Sequence, residues 1–195
     1  MEDVIHLGIP HIGETIFESI CYTDQLIQFR KVSKTWKMLI DNVLVKRWKD
    51  KVVEAVLTHG SIELIKILLE HPGAQDINWN VQGKFRYSPF HLACMEWRID
   101  LLKLLLGNHQ KKNIDLNCRT TECGFIIACG YNGSTDSVKL LLQHSQHIDM
   151  NVRHKFGRTA FITACECGNV DVVKLLLDHS SVQRNIDYNV QNNNG

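Results

Sequence analysis

The block "IKILLEH" at 65–71 returns as "LKLLLGNH" at 102–109, "VKLLLQH" at 138–144 and "VKLLLDH" at 173–179. Lys66, Lys103, Lys139 and Lys174 stand 37, 36 and 35 residues apart. A second echo follows each block: "INWNV" at 77, "IDLNC" at 114, "IDMNV" at 148 and "IDYNV" at 186. A period of this size constrains the fold more than any other feature of the chain. Each copy is one small supersecondary unit that cannot bury its own apolar face, so the copies must stack on one another.

The unit reads as helix, turn, helix, arm. In "TAFITACECGNVDVVKLLLDH", Phe161, Ala164 and Cys165 form one apolar face at helical spacing, and Gly168 with Asn169 interrupts it. Val172, Val173, Leu175, Leu176 and Leu177 form the next face. The "IDYNVQNNNG" stretch is too rich in Asn and Gly to remain helical and suits an extended arm. The expected fold class is therefore all-α, a solenoid of helix pairs with short turn-tipped arms.

Ser88-Pro89-Phe90-His91-Leu92-Ala93 resembles the Thr-Pro-Leu-His-x-Ala signature of an ankyrin repeat, and Thr159-Ala160-Phe161 with Ala164 and Gly168 resembles a degenerate copy. The resemblance covers about residues 46–195, in approximate units 46–82, 83–119, 120–154 and 155–192 and the start of a fifth. The third unit, "CGFIIACGYNGSTDSVKLLL", lacks the Thr-Pro pair and carries one extra residue between its helices, which predicts a distorted turn. Longer polar loops, "HPGAQD" and "HSSVQRN", replace the family's Gly-Ala-Asp and are expected to be mobile. No polar-faced cap follows "NNNG", so either the array is longer or its last helix pair exposes leucines.

The first fifty residues follow another plan. Ile12, Ile16, Phe17 and Ile20 share one face of a first helix, Leu26 and Phe29 mark a short second, and Val32, Trp36, Leu39, Ile40 and Val43 stripe a third. Three helices in about 40 residues have too thin a core to stand alone, so something should cover them. The segment resembles an F-box, the motif that docks on the Skp-family subunit of cullin-based ubiquitin ligases. The matching residues are Ile9-Pro10, Asp24-x-Leu26, Arg30-x-Val32-Ser33-Lys34-x-Trp36 and Leu39-Ile40, while Ile12-Gly13 departs from the family's acidic-apolar pair. The resemblance implies a boundary between a bundle at 1–50 and an array at 51–195. It implies docking through Ile9, Pro10, Ile16, Phe17, Leu26, Val32 and Trp36, an apolar helix-in-groove contact. The alternative is a plain repeat scaffold whose front helices only cap the array, with Trp36 and Phe17 turned toward Val53 and Leu57.

Residues 30–49 hold seven Lys or Arg (30, 31, 34, 37, 46, 47 and 49) against one acid, Asp41. Such a patch invites a nucleic-acid or anionic-lipid reading, but no aromatic platform accompanies it, and basic helix faces are usually solvated surface. Nor does the whole chain lean that way, with 22 Lys and Arg against 21 Asp and Glu. No membrane or nucleic-acid partner is expected.

Cys94, Cys129 and Cys165 each follow the helix alanine of successive units, which marks them as small core residues. Cys165-x-Cys167 lacks the spacing and second ligand pair of a zinc site, so no metal is expected. His71, His144, His179 and, less exactly aligned, His109 end the second helices, where an imidazole can satisfy terminal carbonyls. No nucleophile-base set, phosphate-binding glycine loop or carboxylate pair can be assembled, which predicts a chain without catalysis or cofactor.

The resemblance to ankyrin arrays implies client binding by the arm tips and the inner faces of the first helices. Those positions are Lys84, Phe85, Tyr87, Met95 and Glu96; Arg119, Thr120, Glu122 and Tyr131; and Lys155, Phe156, Arg158 and Glu166. At the arms Lys84, Arg86, Arg119, Arg153, Lys155 and Arg158 oppose only Glu122, so an acidic client patch is expected. Residues 1–30 show no secretory pattern, and an odd count of seven cysteines without framework spacing suits free thiols in a reducing cytosol or nucleus.

Overall fold

A computed structural model describes residues 23–31, 34–54, 56, 61–83, 86–95, 98–118, 123–130, 134–154, 156–178, 186, 187 and 190. Among these residues every regular element is helical, in agreement with the all-α expectation. The chain divides into two compact units, Met1–Asn78 and Trp79–Gly195.

In the front unit, helix α1 (Thr23–Phe29) packs against α2 (Lys34–Trp48), and α2 packs in turn against α3 (Ile62–Glu70). A single turn at Val52–Glu54 lies between α2 and α3 in the chain. α2 buries Leu39, Ile40, Asp41, Val43, Leu44, Val45 and Trp48. At 3.6 residues per turn those positions sweep about 240° of the helix surface, far wider than the single stripe of a one-sided helix. Ser61 caps α3, its hydroxyl accepting the Leu64 N–H at 3.4 Å.

The expected boundary at 50/51 follows the end of the sequence motif, while the compact units divide at 78/79. The physical reason is that α3 and the Pro72–Ala74 turn, both from the repeat region, pack on α2. The "HPGAQD" loop contains a short helical turn. Pro72–Ala74 forms a 3-10 turn in which His71 Nδ1 accepts the Gly73 N–H at 3.1 Å, and Ala74 is buried.

The second unit holds three helix pairs: α4 (Pro89–Met95) with α5 (Ile99–Asn108), α6 (Gly124–Cys129) with α7 (Thr135–Leu142), and α8 (Ala160–Glu166) with α9 (Val170–Asp178). First helices pack on first helices, α4 on α6 and α6 on α8; second helices do likewise, α5 on α7 and α7 on α9. This is the stacking that the period demands. Equivalent positions on the second helices, Leu102 and Leu106 then Val138 and Leu142, are 0–1% exposed. In α9 the matching Val173 is half-buried and Leu177 41% exposed, and Val170 at the start of the helix is 58% exposed. The extra residue of the third unit's turn lies outside the described residues, as does "HSSVQRN".

A side-chain ladder sets the pitch of the stack. Asn80 donates through Nδ2 to the Asn113 carbonyl at 2.7 Å and accepts the Asp115 N–H through Oδ1 at 2.8 Å. Asn117 repeats this one unit on, to the His147 carbonyl at 2.9 Å and from the Asp149 N–H at 2.7 Å. Asn151 accepts the Asp187 N–H at 2.8 Å. Asp115 and Asp149 in turn accept the N–H of Asn117 and Asn151, at 2.9 and 3.0 Å. The "I-D-x-N" echo is thus the hydrogen-bonded seam of the array, satisfying backbone groups at arms that have no sheet or helix to pair them.

Candidate functional site

Two regions carry interaction chemistry, one in each unit. In the front unit, Arg30 closes α1 and lies against both other helices. Its guanidinium donates to Asp41 of α2 through Nε (2.8 Å) and Nη2 (3.2 Å), and through Nη1 to Glu63 of α3. The Arg30 side chain is 11% exposed, Asp41 12% and Glu63 43%. Burial works against the charged guanidinium, but the hydrogen bonds and charges of Asp41 and Glu63 outweigh it and raise the Arg30 pKa above its ordinary value. A cleft of about 310 Å³ opens beside this cluster, with Lys37, Lys66 and His71 also on its walls.

Of the expected docking residues, Leu26 is completely buried and has no surface to offer; it holds α1 in the core. Trp36 lies on α2, its side chain beyond what is described, and Ile9, Pro10, Ile16, Phe17 and Val32 lie outside the described residues. Phe29 at 40% exposure and Met38 at 57% are the large apolar side chains that the described part of this unit leaves toward solvent. Lys31, Lys34, Lys37, Lys46 and Lys49 are exposed, so the basic run is largely a solvated face. Of the inward arrangement of Phe17 and Trp36 against Val53 and Leu57, Phe17, Leu57 and the Trp36 side chain lie outside the described residues.

In the second unit, the arm tip at 153–158 is internally tied. His154 N–H donates to the Arg158 carbonyl at 2.8 Å, Gly157 N–H to the His154 carbonyl at 2.8 Å, and Arg153 Nε to the Gly157 carbonyl at 3.2 Å. Gly157 sits at φ 79°, a left-handed turn that favours glycine. Phe156, 54% exposed, stands edge-on to the His154 ring at 5.1 Å. Arg158 pairs with Glu166 of α8 at 2.8 Å, so two expected client contacts already engage each other. Tyr87 is half-buried 6.0 Å from the His91 ring, and Met95 is 39% exposed at the end of α4. Lys84, Phe85, Glu96, Arg119, Thr120, Glu122, Tyr131 and Lys155 lie outside the described residues.

His91 is fully buried; its Nδ1 meets the Ser88 hydroxyl at 2.8 Å and its Nε2 the Cys118 carbonyl at 3.2 Å, which ties one repeat to the entry of the next. Burial, with Cys123 and Cys129 nearby, pushes the Cys94 thiol up, and burial with Cys123 does the same to Cys129. Both stay protonated and make poor nucleophiles. Cys165, expected in the core, is exposed because no further first helix among the described residues packs on α8. His109 donates Nδ1–H to the Leu106 carbonyl at 2.6 Å, as a helix-ending histidine should, whereas His71 caps a turn N–H instead. Sequence reasoning missed the Arg30 cluster and the asparagine seam; the repeated Asn at 80, 117 and 151 was the available signal for the second.

No described helix is long and apolar enough to cross a membrane, and no group of three His, Cys, Asp or Glu among the described residues could hold a metal.

A family model of the F-box domain matches residues 10–48, one of the ankyrin repeat matches 86–121, and one of three ankyrin repeats matches 125–195. An F-box match is thus followed by ankyrin-repeat matches, domains that typically serve as interaction modules. Similar proteins include an ankyrin repeat-containing protein of Arabidopsis thaliana, 32% identical over 47% of this chain and 18% of its own length. Inversin of Danio rerio is 34% identical over 45% of this chain and 8% of its own length, and a human photoreceptor ankyrin repeat protein 41% over 48% and 21%. The chain thus spans at most about a fifth of the length of these relatives.

Proposed function

We propose that this chain is a client-recognition adaptor of a cullin-based ubiquitin ligase. The F-box docks on a Skp-family subunit, the ankyrin repeats hold a client, and the ligase's other subunits transfer ubiquitin to it. The observation that carries this reading is the F-box match at 10–48 in the same chain as ankyrin repeats from 86 onward. The docking residues are Ile9, Pro10, Ile16, Phe17, Val32 and Trp36, without the buried Leu26. The chain's contribution is proximity: tethering raises the client's effective concentration near the charged conjugating enzyme.

Client contact is proposed at the arm tips and first-helix faces, with Phe156 as the exposed aromatic anchor and the arm cations selecting an acidic patch. The compartment is a reducing one, cytosol or nucleus. The packing of α2 on α3 favours a second reading, in which the front helices serve only to close the array.

One binding measurement separates the two. Purified chain is titrated with a Skp-family subunit alongside Pro10→Ala and Trp36→Ala. Saturable binding that both changes weaken supports the adaptor; no binding by intact, folded chain leaves the scaffold.

A further inference from the structure

The F-box match ends at residue 48, yet among the described residues the helix that closes it packs on elements beyond the match as well as on α1. α1 packs on α2, and so do α3 and the Pro72–Ala74 turn, both beyond the match. Asp41 and Val45 belong to the wide buried arc of α2, and Val45 Cγ1 lies beside Gly73 of that turn. Arg30 ties the three helices at one point, since its guanidinium is shared between Asp41 of α2 and Glu63 of α3. A motif of about 40 residues lacks the core to hold such helices in place alone, and here α3 and the Pro72–Ala74 turn add packing on α2.

We propose that α3, which lies beyond the F-box match, is part of the module that engages the ligase subunit, with Arg30 as the residue that positions α1 and α2 through Asp41 and Glu63. α3 then belongs to the docking end and not to the client-binding repeats, which begin with the arm before α4. This fits the distribution of charge, since the arm cations at 84, 86, 119, 153, 155 and 158 all lie after residue 78. The functional half of the proposal rests on the adaptor reading above; the structural half does not.

Glu63 is the residue to change, because it lies 33 positions after Arg30 and outside the F-box match. In the full chain, Glu63→Lys sets a cation against Arg30, Glu63→Gln removes the charge alone, and Glu63→Asp keeps it. Amide hydrogen exchange is followed in α1, α2 and the second unit, and affinity for the purified Skp-family subunit is measured where circular dichroism shows each variant folded. The expected result is about three- to tenfold faster exchange in α1 and α2 for Glu63→Lys. Affinity falls by a similar factor, Glu63→Gln is intermediate, Glu63→Asp is near the parent, and α6 and α8 are unchanged. Should Glu63→Lys melt the front unit outright while α6 and α8 stay protected, the same conclusion follows, and Glu63→Gln supplies the affinity arm. Unchanged α1 exchange alongside loosened α3 would overturn the proposal. If the intact chain does not bind the subunit at all, the docking role falls, and the exchange pattern alone decides whether α3 forms one unit with α1 and α2.

Discussion

The two halves of this chain solve the same problem, the burial of short amphipathic helices, in opposite ways. The front unit concentrates its tertiary contacts on one helix: α2 is buried around most of its circumference and is fixed to both neighbours by a single arginine. The second unit distributes them, with each pair leaning on the next and an Asn-to-Asp seam repeated at every joint. An aperiodic core fails as a whole when its central element fails. A periodic one fails joint by joint, because each repeat touches only its neighbours. The contrast can be tested by injuring each half at its most dependent point.

The largest effect is expected at the centre of α2. Leu44 is completely buried, and Leu44→Ala removes three carbons and leaves a cavity that α1 and α3 cannot both close. The cost is about 2–5 kcal/mol, enough to consume much of the front unit's stability. Amide exchange should show α1, α2 and α3 losing protection together while α4 to α9 keep theirs. Graded loss confined to α2 would contradict the shared core.

Next comes a joint in the array. A Cβ added at Gly124 would lie 2.7 Å from Phe90 Cε1 and 3.1 Å from Cys94 Sγ, both on the fully buried face of α4. Gly124→Ala gains helix propensity but must displace a packed ring, a net loss of about 1–2 kcal/mol. Denaturant unfolding should report that loss in the second unit, with faster exchange in α4 and α6 before α8. An unchanged midpoint would mean that the two helices have slack.

How much of this was legible beforehand depended on whether the cause lay within one segment. The helices were readable because Leu39, Ile40 and Val43, or Leu101, Leu102, Leu105 and Leu106, carry their burial in their spacing. Asp41 was not: its burial requires Arg30 eleven positions before it, with Glu63 completing the cluster from a helix that the repeat pattern assigns elsewhere. Leu26 read as a docking residue by resemblance, whereas its complete burial is a property of the folded unit and not of its own segment. The asparagine echo was visible as a pattern, but its meaning lay in distances of 2.7–2.9 Å to a neighbouring unit, which no single unit encodes. The arm at 153–158 was correctly read as polar and turn-tipped, while the Arg158–Glu166 pair within the expected client surface depended on three-dimensional proximity.

The seam gives a smaller test. Asn117→Ala deletes the acceptor for Asp149 N–H and the donor to the His147 carbonyl, both at partly solvated arms where water replaces some of the loss. About 1 kcal/mol is expected, with exchange rising at Asp149 in particular. Asn117→Asp keeps the acceptor but not the amide donor and should fall between. Equal effects from both would show that the N–H contact at Asp149 does not matter.

The smallest effect concerns pH, and it too separates the units. His109 and His147 rings lie 4.6 Å apart and His109 and His144 6.2 Å apart, across the joint between α5 and α7. His147 Nε2 meets the Gln110 and Gln146 amides at 3.3 Å, and Lys111 and Lys112 lie next in sequence to Gln110, Lys112 with its own pKa lowered by burial and by Lys111. Burial, then His109 and His147, lowers the His144 pKa below its ordinary 6.5. A folded-state pKa below the unfolded one means that the unfolded chain takes up the proton first. The contribution is therefore present above about 6.5 and is lost as pH falls through that value toward the lower folded one. Urea unfolding of the second unit should shift to lower midpoints between pH 7.5 and 5.5, and His144→Gln should flatten that shift. An undiminished shift in His144→Gln would assign the pH dependence to other histidines of the chain. A shift confined to α1–α3 would place it in the front unit, where no comparable imidazole cluster stands among the described residues.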